Sequence, residues 1–483
     1  MNRGLAALAA CTALTACSFE PAYHRPVPAI PAALPAIGQS EAAPGALSYR
    51  DIFRDPKLVA LIDRALAGNQ DLKAALANVQ SARALVTVAR ADILPTLDAS
   101  AGVTTGENST ASRSASGQSN SGGRRTTYSA DLGVSWEIDL FGRLRSLSNA
   151  AFNQYLGSEA AQRGTRLSVV AGVANAYLTL AADRSLLAIA GETRTSAARG
   201  VELTRSLLQG GIAPRTDLRQ AETILSQAEA DQASLETAVA QDRNALELLV
   251  GARVGDELLP SSIESVDGLL AEAPAGLDSS ILLRRPDVVE TEYGLRAANA
   301  RIGAARAAFF PRIGLTALAG FASSALSSLF TGDAFTWSVA PSATLPIFDG
   351  GGNLGNLRYS RAQRDLAVAN YQRAIQAAFR DVADALARRA TIDRQLAAAA
   401  RLDAAARDSL FLANARYRGG VDPYLSLLDA QRTAYGAART LTSTRLAKAQ
   451  NLVTLYQSLG GDQLIDTLPS PRGGNRAKAE DVR

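Results

Sequence analysis

Every even-numbered residue from Tyr128 to Leu140 is apolar, while Ser129, Asp131, Ser135, Glu137 and Asp139 alternate with them and Gly133 completes the run. Period-two alternation of this length describes a β-strand with one apolar and one wet face. The run ends at Phe141-Gly142, and no proline follows until Pro214. A long amphipathic strand therefore feeds directly into a very long helix. Taken alone, the strand fits an antiparallel sheet of a soluble sandwich. The rest of the chain decides otherwise.

The same plan occurs twice. Lys57 to Ala67 reads as a short helix, and Asp71 caps a longer one that stops before Pro95; Asp287 to Pro311 repeats the Asp71 to Pro95 span at equal length. Beyond Pro95, Leu97, Ala99, Ala101 and Val103 form an alternating apolar set, as do Ile313, Leu315, Ala317, Ala319 and Phe321 beyond Pro311. A fourth strand puts Phe335, Trp337, Val339, Pro341, Ala343, Leu345 and Ile347 on one face. A proline-free helix follows each strand pair, from about Leu147 to Gln209 and from Leu354 to Arg418; the first is roughly 90 Å long at 1.5 Å per residue. Gly210-Gly211 and Gly419-Gly420-Val421 reverse these helices, and the returns stop at Gly251 and Gly460. Gly210 with Gly419, Pro214 with Pro423 and Gly251 with Gly460 share one spacing of 209 positions, a register that marks a true repeat.

The chain divides accordingly. Residues 1–16 read as a signal peptide and 17–50 as an extended proline-rich tether. Residues 51–250 are a first repeat, with strands at about 94–105 and 126–140 and a helical hairpin over 147–250. Residues 251–284 connect it to a second repeat over 285–460, with strands at about 312–322 and 335–348 and a hairpin over 354–459. A polar tail occupies 461–483.

Composition removes several function classes. The chain has one histidine, His24, and two cysteines, Cys11 and Cys17. The main body thus holds no Ser-His-Asp triad, no zinc site of the usual ligands and no disulfide framework. No catalytic residue, metal or cofactor is expected. The formal net charge is only +4, with lysines and arginines scattered among the acids, so no nucleic-acid footprint exists. Aromatic residues make up 5%, and alanine supplies much of the 47% hydrophobic content, which suits closely packed helices.

The N-terminus carries an address. Met1-Asn2-Arg3 and the apolar run Gly4 to Ala16 form a signal peptide too short to span a bilayer. Leu14-Thr15-Ala16-Cys17 resembles the bacterial lipobox, which implies cleavage before Cys17 and a covalent lipid on its thiol. Leu8-Ala9-Ala10-Cys11 fits the pattern less well, because it leaves a shorter apolar run. Ser18 after the cysteine implies, by the same resemblance, sorting to the outer membrane.

Four strands cannot close a barrel, and an open sheet cannot stand in lipid with unpaired edges. The strands therefore belong either to a soluble sheet or to a barrel shared with other copies of the chain. The charge-free face suits lipid, and Asp98, Asp131, Glu137 and Asp139 on the opposite face suit a water-filled lumen. The helices argue likewise. Leu167, Val170, Ala174, Tyr177, Leu178 and Ala181 form a stripe at spacings of three and four, which must meet neighbouring helices along its length, as in a coiled coil.

Several segments taken together resemble the TolC-like outer-membrane factors, in their lipoprotein branch. They are Cys17 with its tether, Asn69-Gln70-Asp71-Leu72, Trp136 to Arg143, Arg284-Arg285-Pro286-Asp287-Val288, Phe309-Phe310-Pro311, Phe348-Asp349-Gly350-Gly351 and Leu427 to Arg432. The resemblance spans nearly the whole chain. It implies an α+β membrane protein, a homotrimer whose strands complete a twelve-stranded outer-membrane barrel continued by a long α-helical periplasmic barrel. The implied function is the exit duct of a tripartite efflux system, lipid-anchored in the bacterial outer membrane and passively exporting small toxic compounds. The implied partners are outer-membrane lipid, a periplasmic adaptor protein and an inner-membrane transporter. Gly210, Gly211, Gly419, Gly420 and Val421 would be adaptor-contacting tips. By the same resemblance Leu425 and Asp429 fall at a periplasmic constriction, and Tyr417 and Arg432 at positions that hold it closed. Some relatives carry a second aspartate where Ser426 stands, and some an arginine where Asp422 stands.

Three alternatives bear on the same residues. One is the outer channel of a protein-secretion system, and another is a lipoprotein scaffold without a channel. An enzyme using Asp131, Glu137 or Asp139 is the weakest, because no companion acid or base stands near them in sequence.

Overall fold

The computed structural model describes residues 19–28, 48–107, 125–266 and 279–463. Cys17, the loop tip at 108–124, part of the connector and the tail beyond Gln463 lie outside the described residues. The first repeat comprises α1 (Tyr49–Ile52), α2 (Pro56–Gly68), α3 (Gln70–Ala91), β1 (Thr96–Gly106), β2 (Arg125–Ile138), α4 (Arg143–Gln209) and α5 (Arg215–Val250). The second comprises α6 (Pro286–Ala307), β3 (Arg312–Ser323), β4 (Phe335–Thr344), α7 (Gly352–Arg418) and α8 (Tyr424–Ser458). Both α4 and α7 are 67 residues long, so the repeat holds in length as well as in order. Two compact units result, one from Met1–Pro26, Val79–Ser158 and Thr291–Tyr371, the other from Val27–Asn78, Glu159–Glu290 and Gln372–Arg483.

The first unit holds an antiparallel sheet in the order β1-β2-β3-β4. Its register aligns the four alternating sets into rows. Leu132 lies opposite Ala99 and Ala319, and Ala319 opposite Trp337; Val134 lies opposite Leu97 and Ala317, and Ala317 opposite Val339. Residues directly opposite share a face. The apolar residues of all four strands therefore form one continuous face, and Ser100, Asp131, Gly320 and Thr336 form a row of the other. The β4 run stops at Thr344 rather than near 348. Pro346, without an N–H to donate, follows closely and leaves Ile347 and Phe348 beyond the ladder, each more than 90% exposed.

Two aspartates start the long helices. Leu140 N–H turns back to Ile138 O, which ends β2, and Asp139 Oδ2 then accepts from Arg145 N–H at 2.9 Å in the first turn of α4. Asp349 accepts from Gly351 and Asn353 N–H at the start of α7. A carboxylate at a helix N-terminus satisfies orphan donors and meets the positive end of the dipole. These caps place the start of α4 at Arg143, four residues before the expected Leu147.

The proline-rich segment is not wholly a free tether. Phe19 to Arg25 pack within the first unit. Phe19 stacks on Phe310 at 4.4 Å, which in turn stacks on Phe141 at 5.0 Å. Asn299 Nδ2 donates to Pro21 O, and Arg25 donates twice to Glu292, at 3.0 and 2.6 Å. Tyr23 also donates to Glu292, while Arg296 lies over the Tyr23 ring and 3.4 Å from the same carboxylate. Glu292 has no solvent exposure. A fully buried charge is tolerated only when paired and hydrogen-bonded, so these contacts explain why the segment stays docked.

The second unit centres on a core from α2, α4, α5 and α8 that contains Leu61, Ile62, Val170, Ala174, Tyr177, Leu178, Ala181, Leu246 and Tyr456. Every member of the Leu167 to Ala181 stripe is buried. Asp55 joins the pieces: it accepts from Lys57 N–H as the cap of α2 and from Tyr177 Oη at 2.7 Å. The cap of α3 is Asn69, not Asp71, since Asn69 Oδ1 accepts from Leu72 N–H. Here Gly68 and Gly251 touch backbone to backbone, and a Cβ on Gly251 would stand 2.6 Å from Gly68 O. Gly251 also has a left-handed φ of +75°, so glycine is required twice over.

Candidate functional site

Both helix reversals have one geometry. Gly211 N–H donates to Leu208 O and Ile212 N–H to Leu207 O; Gly420 N–H donates to Tyr417 O and Val421 N–H to Arg416 O. These are paired Schellman closures, with Gly211 and Gly420 left-handed at φ +74° and +70°. Only the second glycine of each pair needs that conformation; Gly210 and Gly419 still bond within the helix end. Ile212 and Val421 are exposed at the two turns. Pro214 and Pro423 then sit at the starts of α5 and α8.

The turns differ in charge. Asp422 takes a bidentate contact from Arg416 at 2.6 and 2.8 Å, and this bond holds its carboxyl below the ordinary aspartate value. The first turn has Leu207 and Ala213 at the matching places. Asp422 therefore stiffens its own turn.

Above the turns the two hairpins of the unit meet through Val201, Ala221, Tyr417, Tyr424 and Leu427. Tyr417 is buried, 3.1 Å from Thr204 Oγ1 on α4, and packs edge-on against Tyr424 at 5.3 Å. Burial pushes the Tyr424 phenol up to about 12, with Tyr417 and Asp217 adding to it. Leu425 and Asp429 lie on the opposite, exposed side of α8, and Arg432, also exposed, stands on the flank of the helix beside the space between the hairpins. Leu425 and Asp429 are one turn apart and stack on one face. Tyr417 thus ties hairpin to hairpin inside the chain, while Leu425 and Asp429 remain outside that contact.

A second electrostatic feature lies higher in the first hairpin. Burial, and then the Asp183 carboxylate on α4, pushes Asp242 of α5 up to about 6. Sequence reading missed this pair, because it depends on the rotation of two helices about each other.

The strand acids separate. Asp131 lies opposite Ser100 and Gly320, on the face away from the apolar rows. A Cβ on Gly320 would collide with Ala130 O and the Asp131 side chain, so glycine makes room for the aspartate. Glu137 shares that face but takes both Arg143 donors, at 2.9 and 2.8 Å. Asp139 is not on the strand at all. Its side chain is nearly buried, capping α4 and paired with Arg145. The expected lumen position of Asp139 is corrected for that reason. Among the described residues no group of acids, histidines and cysteines could hold a metal ion, and no helix is long and apolar enough to cross a membrane.

Comparison with known proteins gives concordant matches. A family described as outer membrane efflux protein matches residues 61–252 and 277–461. The solvent efflux pump outer membrane protein SrpC of Pseudomonas putida is 41% identical, with 93% of this chain and 96% of that protein covered. The antibiotic efflux pump outer membrane protein ArpC of Pseudomonas putida is 42% identical, with 93% of each covered. Among solved structures, the open state of the Neisseria gonorrhoeae MtrE outer membrane channel is similar with a TM-score of 0.81 and 35% identity, over 94% of this chain and all of that one.

Proposed function

The chain belongs to the outer membrane efflux protein family, and from that premise we propose that three copies form an exit duct through the bacterial outer membrane. One observation carries the reading: a four-stranded sheet with an unbroken apolar face whose outer strands, β1 and β4, each pair on one side only within the chain. Long unpaired edges and an exposed apolar face are stable together only where neighbouring sheets join the edges and lipid covers the face. Three sheets give a twelve-stranded barrel, with Asp131 towards its water-filled interior.

The helical hairpins form the periplasmic part of the duct. Their reversals at Gly210-Gly211 and Gly419-Gly420-Val421 present Ile212 and Val421 to a periplasmic adaptor, which links the duct to an inner-membrane transporter. Leu425 and Asp429 line the constriction: an apolar ring beside a ring of three carboxylates that repel one another and attract cations. Tyr417 and Arg432 hold the closed arrangement. A lipid on Cys17 anchors the chain. The cargo is small toxic compounds, as the solvent and antibiotic names of the relatives suggest, and transport through the duct is passive and needs no catalytic residue.

Disulfide scanning tests the barrel. The chain has no cysteine beyond Cys17, so Ser100→Cys can be combined in turn with Thr336→Cys, Ser338→Cys, Ala340→Cys and Ser342→Cys. A covalent trimer on a non-reducing gel is expected at one register. No cross-linked species at any of the four registers would contradict a shared barrel.

A further inference from the structure

Between the two hairpins of the second unit lies a cavity of about 530 Å³ that all four long helices line. That size falls inside the range of small-molecule sites, about 300–1,000 Å³. The space exists because small residues face it from three helices: Ala197 on α4, Ala228 on α5, and Ala434 and Ala438 on α8. Below it the hairpins close tightly at Tyr417 and Tyr424.

The polar groups of the lining are uneven in sign. Arg407, Arg432 and Arg439 all reach it. Arg407 is paired with Asp403 along its own helix, while among the described residues Arg432 and Arg439 have no carboxylate partner. One acid of the lining, Asp231, is already engaged on both oxygens: Oδ1 accepts from Gln227 and Oδ2 from Tyr435 Oη at 2.9 Å. Glu192 also lines the cavity and is exposed there, as the three arginines are, so the lining carries three cations against two acids. Gln431 Oε1 is buried with no donor, which leaves an acceptor for a ligand N–H or O–H.

We propose that this cavity binds a small amphipathic organic anion, its apolar body among the alanines and its charge on the Arg432 and Arg439 guanidiniums. Planar guanidiniums match carboxylate and sulfonate oxygens and are the donors suited to such a head group. The occupant touches both hairpins at once. The site shares Arg432 with the closed arrangement proposed above, whereas Arg439 belongs to the cavity alone.

The test is calorimetry on the full-length, detergent-solubilised protein with 2-naphthalenesulfonate, against neutral 2-naphthalenesulfonamide and with a micelle blank. One saturable site per chain is expected, at least about tenfold tighter for the sulfonate, the equivalent of one charge-assisted contact. Ala438→Leu fills the cavity and is expected to abolish binding. Arg439→Gln, at an exposed position that leaves the fold intact, is expected to erase the preference for the anion. Absence of saturable binding, equal affinity for both probes, or unchanged preference in Arg439→Gln would each overturn the assignment.

Discussion

Asn69 and Arg285 hold equivalent posts in the two repeats: Asn69 Nδ2 donates to Leu249 O at 2.9 Å, and Arg285 Nη1 to Ser458 O at 2.8 Å. Each side chain stands at the start of the helix leading to a strand and ties it to the end of the returning helix. The chemistry differs although the role is shared. Asn69 adds a helix cap through Leu72, whereas Arg285 adds ion pairs to Asp287 and Asp381. Asn69→Ala removes a cap and a buried bond and should lower stability by about 2 kcal/mol. Arg285→Met leaves the buried Ser458 carbonyl without its charged donor and Asp287 without this cation, while Asp381 keeps Arg380, and should cost about 3 kcal/mol. Thermal melts followed by circular dichroism check both the losses and their order.

The docked N-terminal segment makes a separate prediction. Arg25→Met leaves the buried Glu292 with Arg296 as its remaining cation, at 3.4 Å, and should destabilise by about 3 kcal/mol. Adding Glu292→Gln removes the charge that needs Arg25, so the double variant should recover part of the loss. A double variant no more stable than the single one would show that Arg25 does not act through Glu292.

Asp242 predicts a pH dependence whose sign is fixed. Its carboxyl ionises near 3.8 when unfolded and at about 6 in the folded hairpin. Between those values the folded chain holds a proton that the unfolded chain has lost, so stability falls as pH rises through this window. Asp242→Asn should flatten the fall and raise the melting midpoint above pH 7. A midpoint unchanged by the substitution at every pH would contradict the assignment.

Much of this architecture was legible in the sequence because alternation and spacing report faces directly. The four apolar sets meet in register, the Leu167 to Ala181 stripe is buried, and the glycine reversals close where the 209-residue spacing puts them. The failures share a cause. Asp139 continues the alternation by residue type, but an aspartate before a helix also suits a cap, and the backbone turn at Leu140 decides between them. Asn69 and Asp71 are both good cap residues, and only the hydrogen bond to Leu72 separates them. The docking of Tyr23 and Arg25 on Glu292 joins residues more than 260 positions apart, beyond any local pattern. The cavity beside Arg432 is equally invisible, since it arises where small residues of several helices face one another.

A water-filled duct of three chains with Asp429 at its narrow end must conduct ions, which single-channel recording in planar bilayers measures. Purified protein is expected to insert with discrete conductance steps that cations added on the periplasmic side reduce. Asp429→Ala should weaken that cation block and enlarge the steps. The absence of any conductance from both the parent protein and Asp429→Ala, inserted as intact trimers, would contradict the account.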